Sequence, residues 1–361
     1  MRHFRKATIK EVAAHAAVST TTVSLYVSGR KQVCSAETAE RIEKAVSALS
    51  YTPSSLTRGL RQRNSTTIGV CLTNPMDPGV AYGQPFFEQL WRGIMHQADI
   101  ENYSLLHYPA KVRDGRGCEP FLDGRVDGML MHEHEDARSI ELASAGMPLV
   151  LLTRSLNIPE GCGCAYADEA MTTDVAMAHL WELGHRRIAY IAGPVGDILK
   201  SRLAKTQFGF SKDDVAVTRL ETFVDWVKQR RVYDPALILS SGDWVAPDAT
   251  LLLDQLLALP QPPTAIFCGN DALALDIIQV ARQRGLRVPD NLSVVGVDNS
   301  PQSRENGVAL TTVDVRIEEI GRESLRALLR LMRDEPEDHY RISLPISQLV
   351  VRHTTAPLPA R

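Results

Sequence analysis

The chain lacks the features that mark membrane and secreted proteins. Its 361 residues contain no apolar run close to the roughly 18 residues that span a bilayer. The N-terminal stretch, residues 1–17, is basic but has no continuous apolar core, so it does not have the pattern of a secretory signal. We therefore expect a cytoplasmic protein that has no membrane partner.

Cysteine is scarce and scattered, and most of it stands in apolar, strand-like runs. We expect buried free thiols in a reducing compartment. Cys162 and Cys164 have the spacing of half a metal site, but no second pair matches them, and metal binding is the weaker alternative. The run HEHED at 132–136 also resembles a metal cluster, and a solvated loop after a strand is the simpler interpretation. The six cysteines are Cys34, Cys71, Cys118, Cys162, Cys164 and Cys268.

Motifs of common enzyme classes are missing as well. The sequence has no phosphate-cradling P-loop, no G-x-S-x-G elbow and no convincing pair of nucleophile and base. We expect a protein that is not an enzyme and that uses no cofactor. A chain of 361 residues with 44% hydrophobic and 23% charged residues predicts two or three soluble folding units.

Positive charge is concentrated at one end of the chain, although the net charge is only −3. Residues 1–63 carry 11 lysines and arginines against 4 acidic residues, or +7, and the other 298 residues carry −10. A small basic unit joined to a larger acidic one suggests a polyanion-binding module. A chance bias of the surface is the alternative.

The basic segment predicts three short helices, each preceded by a hydroxyl side chain that can cap it. A capping-box pattern opens a first helix over about 9–16, and a second covers about 20–28 before Gly29. The tight turn between these two helices indicates a helix-turn-helix unit. The capping residues are Thr8, Ser19 and Ser35.

Hydroxyl side chains crowd the first turns of the second predicted helix. Short hydroxyls near a helix N-terminus can donate to phosphates and reach base edges in a major groove. Packing or capping would explain a single threonine, but three in succession inside a unit of charge +7 favour DNA contact. These side chains are Thr20, Thr21, Thr22 and Ser24.

The runs TIKEVAAHAAVSTTTVSLYVSG and SAETAERIEKAVSALSYTPSSLTRGLR, within residues 8–61, resemble the LacI/GalR family of bacterial transcriptional regulators. The resemblance implies that Thr20 and Thr21 face bases. Ala17 departs from the family's turn glycine, and Leu25 stands where the family has Arg or His, although a leucine can contact a thymine methyl. The expected DNA contacts are Thr8, Ser19, Thr20, Thr21, Thr22, Ser24, Leu25, Ser28, Ser35, Ser54, Thr57 and Leu60.

A hinge is expected after the third helix, which Pro53 stops because the residue before proline avoids helical geometry. The run 54–62 could form about two helical turns, too few to be stable alone. In the family this hinge orders on operator DNA, and a leucine wedges into the minor groove and kinks the duplex. Leu60 matches that leucine, and a merely flexible linker over 54–65 is the alternative.

From Thr67 onward short apolar strands alternate with amphipathic helices, which predicts parallel sheets. Two such sheets in succession predict two Rossmann-like lobes of the periplasmic-binding-protein type, with ligands at the carboxyl ends of strands. The expected strands are 67–73, 128–131, 148–153, 187–193, 236–240, 264–268 and 293–297, and the expected helices are 86–101, 169–183 and 272–284.

The expected fold is thus an all-α helix-turn-helix head with an α/β body of two lobes. The head covers 1–52, the hinge 53–65 and the body 66–361, with one lobe over about 66–164 and 298–322 and the other over about 165–297 and 323–361.

Polar and aromatic residues follow three strands of the body: Asn270-Asp271, Asp298 and Trp244. Asp and Asn suit the hydroxyls of a polyol, and an aromatic face suits a sugar ring or a base. Helix caps and a core tryptophan are the alternatives, and for Asp271 a cap is favoured. Three strand ends together indicate a ligand cleft.

The motifs ELGHRRIAYIAGP, FCGNDALAL, LRVPDNLSVVGVDN and ALTTVDVRIEEIG also resemble the LacI/GalR family. The resemblance implies an effector hydrogen-bonded by Asn270 and Asp298 and stacked on Trp244. Arg219 best matches the family's effector arginine, and Arg202 is the alternative because 195–215 has the length of an insertion. The stretch 74–84 is also long. The expected effector contacts are Phe86, Phe87, Thr153, Arg219, Trp244, Asn270 and Asp298.

The expected partners follow from these two sites. A single three-helix head makes few contacts, so we expect a homodimer on palindromic double-stranded operator DNA, and hence a nucleoid location. The C-terminus shows no heptad extension that would predict a tetramer. The effector is expected to be a sugar, with a purine or nucleoside as the alternative. A solute-binding protein without DNA function is the rival class.

Overall fold

The fold is seen in a computed structural model. It describes residues 7–27, 30–49, 51, 65–72, 84–108, 121–132, 136–155, 157–195, 214–242, 244, 247–305, 307–344 and 347–358. The chain forms two compact units, Met1–Thr66 with Gly124–Val126, and Thr67–Asp123 with Asp127–Arg361. Among these residues no helix is both long and apolar enough to span a membrane.

The N-terminal unit contains the three helices that the sequence predicts. They are α1 (Ile9–Ala16), α2 (Thr20–Val27) and α3 (Ala36–Ala48). Thr8 and Glu11 complete the capping box of α1, and Ser35 caps α3 by accepting from the Thr38 amide. A small core holds the helices together through Val12, Val23, Tyr26, Ile42 and Ala45.

The turn between α1 and α2 depends on Ala17, which has a φ of +52°. This left-handed conformation suits glycine, and it costs an alanine about 1–2 kcal/mol. The Ala17 amide donates to the carbonyls of Ala13 and Ala14, and Arg41 donates from Nη2 to the Ala17 carbonyl at 3.2 Å. These hydrogen bonds stabilise the turn although position 17 holds an alanine and not a glycine.

The first lobe of the second unit is a parallel sheet in the order β11-β5-β4-β3-β1-β2. Its strands are β1 (Thr67–Leu72), β2 (Ser104–His107), β3 (Gly128–His132), β4 (Leu149–Leu152), β5 (Gly163–Ala167) and β11 (Arg341–Leu344). The helices α4 (Pro85–Glu101), α5 (Asp136–Ser144) and α10 (Ile317–Met332) pack on it. The strand order reverses between β1 and β3, which is where sheets of this type bind ligands.

The second lobe repeats the same order as β12-β10-β9-β8-β6-β7, with only the edge strand β12 antiparallel. Its strands are β6 (Ile188–Ala192), β7 (Ile238–Ser240), β8 (Ala265–Cys268), β9 (Ser293–Val297), β10 (Thr311–Asp314) and β12 (Gln348–Val350). Its helices are α6 (Glu169–Glu182), α7 (Asp214–Gln229), α8 (Ala249–Leu257) and α9 (Asp271–Gln283). The expected fold class is confirmed, and here the strand order reverses between β6 and β8.

The chain crosses between the lobes at places that the sequence analysis did not predict. The expected first-lobe segment 298–322 is wrong for β10, which pairs with β9 in the second sheet. The expected second-lobe segment 323–361 is wrong for β11, which pairs with β5 in the first sheet. The boundary expected at 164 cuts through β5. Strand pairing over long sequence distances decides these assignments, and the local pattern of apolar residues does not record it.

A close helix crossing attaches α10 to the first lobe. A Cβ added at Gly93 of α4 would lie 1.9 Å from the Glu318 carbonyl oxygen, and one at Gly321 would lie 2.3 Å from the Leu90 carbonyl oxygen. The two backbones therefore touch where both side chains are absent. This contact holds α10 against α4 of the first lobe.

The cysteines whose surroundings are described carry free thiols. Cys71, Cys162, Cys164 and Cys268 are buried, as expected, and Cys34 is half-buried. Burial raises the pKa of Cys162 to about 11 and that of Cys164 to about 11, so both are protonated at neutral pH. Cys118 lies outside the described residues.

Candidate functional site

The exposed side of α2 is defined by what the helix buries. Val23 and Tyr26 pack into the core, and Thr20 and Thr21 are exposed on the other side of the helix. Ser24 and Leu25, three and four residues after Thr21, share its face and are partly exposed. The helix therefore presents two threonines, a serine and a leucine as one surface.

The other expected DNA contacts are divided between capping residues and residues outside the described part of the chain. Ser19 accepts from the Thr22 amide at 3.1 Å, and their hydroxyl oxygens lie 2.8 Å apart, so both side chains are used at the N-terminus of α2. Thr8 and Ser35 are exposed caps of α1 and α3. The expected contacts Ser28, Ser54, Thr57 and Leu60 lie outside the described residues.

Tyr26 joins the second helix to the third, which the sequence analysis missed. Its hydroxyl donates to the Glu43 carboxylate over 2.5 Å. This hydrogen bond, with burial adding to it, raises the pKa of Tyr26 to about 12. The bond keeps α2 at a fixed angle to α3, so it orients the exposed threonines.

In the second lobe, Trp244 covers the point where the strand order reverses. A Cβ at Gly193, after β6, would lie 2.2–2.5 Å from its indole ring, and one at Gly269, after β8, would lie 2.9 Å from it. Only glycine at both strand ends allows the ring to approach this closely. Asn270 donates from Nδ2 to the Trp244 carbonyl at 3.2 Å and so fixes the segment that carries the ring.

Arg219 reaches the same edge from α7 and is almost fully buried, with 4% of its surface exposed. It donates from Nε to Glu169 Oε2 at 2.5 Å and from Nη1 to the Gly269 carbonyl at 2.7 Å. Burial lowers the pKa of Arg219, but the carboxylates of Glu169 and Asp298 outweigh it and raise the pKa overall. The guanidinium is therefore a fixed cation, and the alternative residue Arg202 lies outside the described residues.

Asp298 follows β9 in a backbone conformation that is rare for a residue with a side chain, with a φ of +110°. Its amide donates to the Val313 carbonyl at 2.9 Å, which ties it to β10. Burial, followed by the charge of Asp271, raises the pKa of Asp298 well above its usual value, while Arg219 lowers it. Such strain is typical of positions where function fixes the direction of a side chain.

Asn270 takes the capping role that the sequence suggested for Asp271. Asn270 caps α9 by accepting from the Leu273 amide at 2.9 Å, so the expectation of Asp271 as the cap is wrong. Asp271 is buried and accepts from the Ser300 amide at 2.7 Å and from the Thr312 hydroxyl at 2.5 Å. A helix cap must accept a hydrogen bond from a backbone N–H group of the first turn. In α9 the side chain in that position is that of Asn270.

The first lobe carries a ring cluster at its own reversal point. Phe87 is buried, Phe86 is half-buried, and their ring centroids lie 5.2 Å apart. His132, the last residue of β3, lies 5.0 Å from Phe87 and 6.0 Å from Phe86. The expectation that the run starting at His132 is a solvated loop is wrong for this residue, which is only 8% exposed. Residues 133–135 lie outside the described residues.

Thr153 stands apart from that ring cluster, at the end of β4. It has a φ of +58°, and its hydroxyl donates to the carbonyl of Leu152 at 2.7 Å. It is half-buried, and its amide donates to the Ala165 carbonyl. Its place at a strand end fits the expectation of a lining residue.

The structure gathers four of the seven expected effector contacts at one sheet edge, and it adds a residue that the sequence did not indicate. Arg219, Trp244, Asn270 and Asp298 surround the carboxyl ends of the second-lobe strands. Glu169 was missed because it opens α6 and stands 50 residues before its partner. The need of a buried arginine for a counterion is the one signal that could have indicated it.

A helix-turn-helix unit followed by a two-lobed α/β body with such strand ends defines a class of protein, the transcriptional regulators controlled by small molecules. Two family models match the chain: "Bacterial regulatory proteins, lacI family" over residues 8–54, and "Periplasmic binding protein-like domain" over residues 177–355. The chain belongs to the LacI family.

Relatives and solved structures agree with this assignment. The chain is 30% identical to the HTH-type transcriptional repressor CytR of Escherichia coli K12 over 98% of this chain and 97% of that protein. It is also 30% identical to the Ribose operon repressor of the same strain, over 94% and 97%. A crystal structure of the Lac repressor dimer bound to operator and the anti-inducer ONPF matches with a TM-score of 0.79, at 26% identity over 98% of this chain and 100% of that one. The chain is therefore a DNA-binding regulator with an effector-binding body.

Proposed function

We propose that the protein is a homodimer that binds a palindromic operator through α2, and that a sugar or sugar derivative changes its affinity for the operator. The observation that carries the DNA half is the exposed threonine face of α2 on a unit of charge +7. Thr20, Thr21, Ser24 and Leu25 contact base edges in the major groove, and Thr8, Ser19, Thr22, Ser28 and Ser35 contact the backbone.

In this proposal the hinge completes the DNA contact. Ser54 and Thr57 contact phosphates, and Leu60 enters the minor groove, where the extra contact offsets the cost of unstacking a base step. The dimer places two heads on successive half-sites. The solved structure of the Lac repressor dimer bound to operator supports this arrangement.

The effector half rests on Trp244, which covers two glycines beside Arg219 and Asp298. In this proposal the effector stacks on the indole and is hydrogen-bonded by Asp298, Asn270 and Arg219, while Phe86, Phe87 and Thr153 line the opposite wall from the first lobe. A nucleoside is the second candidate because a base also stacks on an aromatic ring. The match to a cellobiose complex of the regulator CelR, with a TM-score of 0.67 at 26% identity, favours a sugar.

A thermal-shift screen of sugars, sugar phosphates, nucleosides and nucleobases on the full-length protein tests the effector half. We expect a neutral sugar to raise the Tm and this rise to vanish in Asp298→Ala. A rise that persists in Asp298→Ala would place the ligand elsewhere. No catalysis is proposed, and turnover of any of these compounds would revive an enzymatic function.

A further inference from the structure

The surroundings of Arg219 restrict what the proposed cleft can bind. Arg219 and Glu169 are 4% and 8% exposed, and Nε lies 2.5 Å from Oε2. A buried ion pair of this kind is held by the protein, because separating it would leave a charge without solvent. The positive charge of Arg219 is therefore already balanced before a ligand arrives.

Two further arginines, Arg304 and Arg352, contact Asn299 beyond β9, and Arg304 donates from Nη2 to Asn299 Oδ1 at 3.2 Å. Arg352 donates from Nη2 to Asn299 Oδ1 at 2.5 Å, and from Nη1 to the Leu310 carbonyl at 2.6 Å and the Ser303 hydroxyl at 3.1 Å. Asn299 in turn donates from Nδ2 to Asp314 at 3.0 Å. Arg352, like Arg219, therefore donates hydrogen bonds to oxygens of the protein.

The polar atoms that this edge of the sheet presents to a ligand are carboxyl oxygens. Asp298 stands beside Arg219, Glu169 and Asp271 closely enough that each shifts its pKa. Because Arg219 is already paired with Glu169, a buried phosphate or carboxylate would gain no uncompensated positive charge from this guanidinium, and burying an anion without a counter-charge is costly. A hydroxyl group can donate to the carboxyl oxygens of this edge.

We propose that the effector carries no phosphate or carboxylate group, and that Glu169 sets this selectivity by holding Arg219 in a neutral pair. The inference rests on the proposed function, since it concerns the same cleft. It narrows the ligand class to uncharged polyols, sugars and nucleosides, and it assigns Glu169 a role in specificity that is separate from contact with the ligand.

The first test compares matched ligands on the full-length protein by isothermal titration calorimetry. The pairs are ribose and ribose 5-phosphate, glucose and glucose 6-phosphate, and adenosine and its monophosphate. For any pair that binds, we expect the phosphate to bind at least about tenfold more weakly than the neutral compound. A phosphorylated member that binds as tightly as its neutral partner overturns the inference and leaves the effector cleft itself intact.

The second test needs no knowledge of the effector, because its probe is sulfate. Glu169→Gln keeps the shape and an acceptor for Arg219 but removes the negative charge. We expect sulfate, compared with chloride at equal ionic strength, to raise the Tm of Glu169→Gln in a saturable way and by more than it raises the Tm of the wild type, which sulfate stabilises only through its general effect on folded proteins. Asp254→Asn is the matched control, since it removes the acid from the exposed pair of Asp254 and Arg284 at 2.7 Å.

A double variant, Glu169→Gln with Arg219→Gln, shows where the anion binds, because the additional sulfate effect of Glu169→Gln should vanish with the guanidinium. A sulfate effect of the same size in wild type and Glu169→Gln contradicts the role of Glu169, and so does the same gain in Asp254→Asn. If no neutral ligand binds at all, the proposed function fails while the sulfate comparison still decides the inference. If Glu169→Gln does not fold, the ligand pairs decide it.

Discussion

The chemistry of the proposed cleft depends on single residues whose side chains meet at one sheet edge of the second lobe. Arg219, Trp244, Asn270 and Asp298 follow motifs that can be read locally, and the structure places all four at one sheet edge. The ion pair with Glu169 joins residues 50 positions apart, and helix packing brings them together. No local pattern records such a contact.

At Ala17 we predict that substitution by glycine stabilises the head. Ala17→Gly removes the left-handed strain, and the larger entropy of an unfolded glycine offsets part of the gain, so the net effect is at most about 1 kcal/mol. Hydrogen exchange on the full-length protein should show slower exchange of the α1 and α2 amides.

Ala14→Gly is the control, because Ala14 lies inside α1 and is exposed. At that position glycine relieves no backbone strain, and the substitution should destabilise the helix by about 1 kcal/mol. If both variants exchange faster than the wild type, the strain assigned to Ala17 is not present.

Asp271 should make the body less stable as the pH rises. Burial, opposed by hydrogen bonds from Thr312 and Ser300, raises the pKa of Asp271 from 3.8 to about 7. An acid with a raised native pKa contributes stability that is full below the unfolded value and is lost as the pH rises through the folded value. The contribution is therefore present at pH 3.8 and lost by pH 7.

The measurement is the Tm of the wild type and of Asp271→Asn across that window. The decrease with pH should be smaller in Asp271→Asn because the titrating group is gone. Asp254→Asn serves as the control, since the hydrogen bond from Arg284 lowers the pKa of Asp254. Equal pH dependence in wild type and Asp271→Asn would contradict the account.

Among the elements, strands with continuous apolar runs were predicted well, and strands without such runs were missed. The expected strands at 128–131, 264–268 and 293–297 agree with β3, β8 and β9 to within a residue, because continuous apolar runs mark buried parallel strands. β5 has the sequence GCAYA, whose small residues give a weak strand signal. β11 and β12 were missed because each pairs with a strand of a different lobe, after the chain has passed from one lobe to the other.

The crossing of α4 and α10 should not tolerate a side chain. In Gly321→Ala the new Cβ would meet the Leu90 carbonyl at 2.3 Å, and the helices must separate. Overpacking of this kind costs about 1–3 kcal/mol. Chemical denaturation of the full-length protein should show this loss.

Arg326→Ala tests whether the loss comes from the crossing. Arg326 lies on the same helix with 36% of its side chain exposed, and its partner Glu323 also lies near Arg330. We expect its removal to cost no more than about 1 kcal/mol. A similar loss in both variants would mean that the crossing is not the cause.

At the scale of the whole molecule, positive charge is concentrated in the head and negative charge in the body. The head carries +7 while the rest carries −10, so DNA attracts one part and not the other. Phosphate contacts release counterions, and the affinity should fall at least about tenfold between about 50 mM and 200 mM salt. Fluorescence anisotropy with a genomic promoter fragment checks this. Affinity that does not change with salt would contradict phosphate contact by the head.

The most direct test of the account is operator binding with and without the small molecule found in the thermal-shift screen. Sequences enriched from the organism's own genome by the full-length protein supply the operator, and anisotropy gives the Kd. We predict a tight, sequence-specific complex that Thr21→Ala weakens by about 1–3 kcal/mol. We also predict that the ligand changes the Kd about tenfold or more in the wild type and leaves it unchanged in Asp298→Ala. Enrichment of no sequence, or a Kd that ignores a ligand bound in the cleft, would contradict the account.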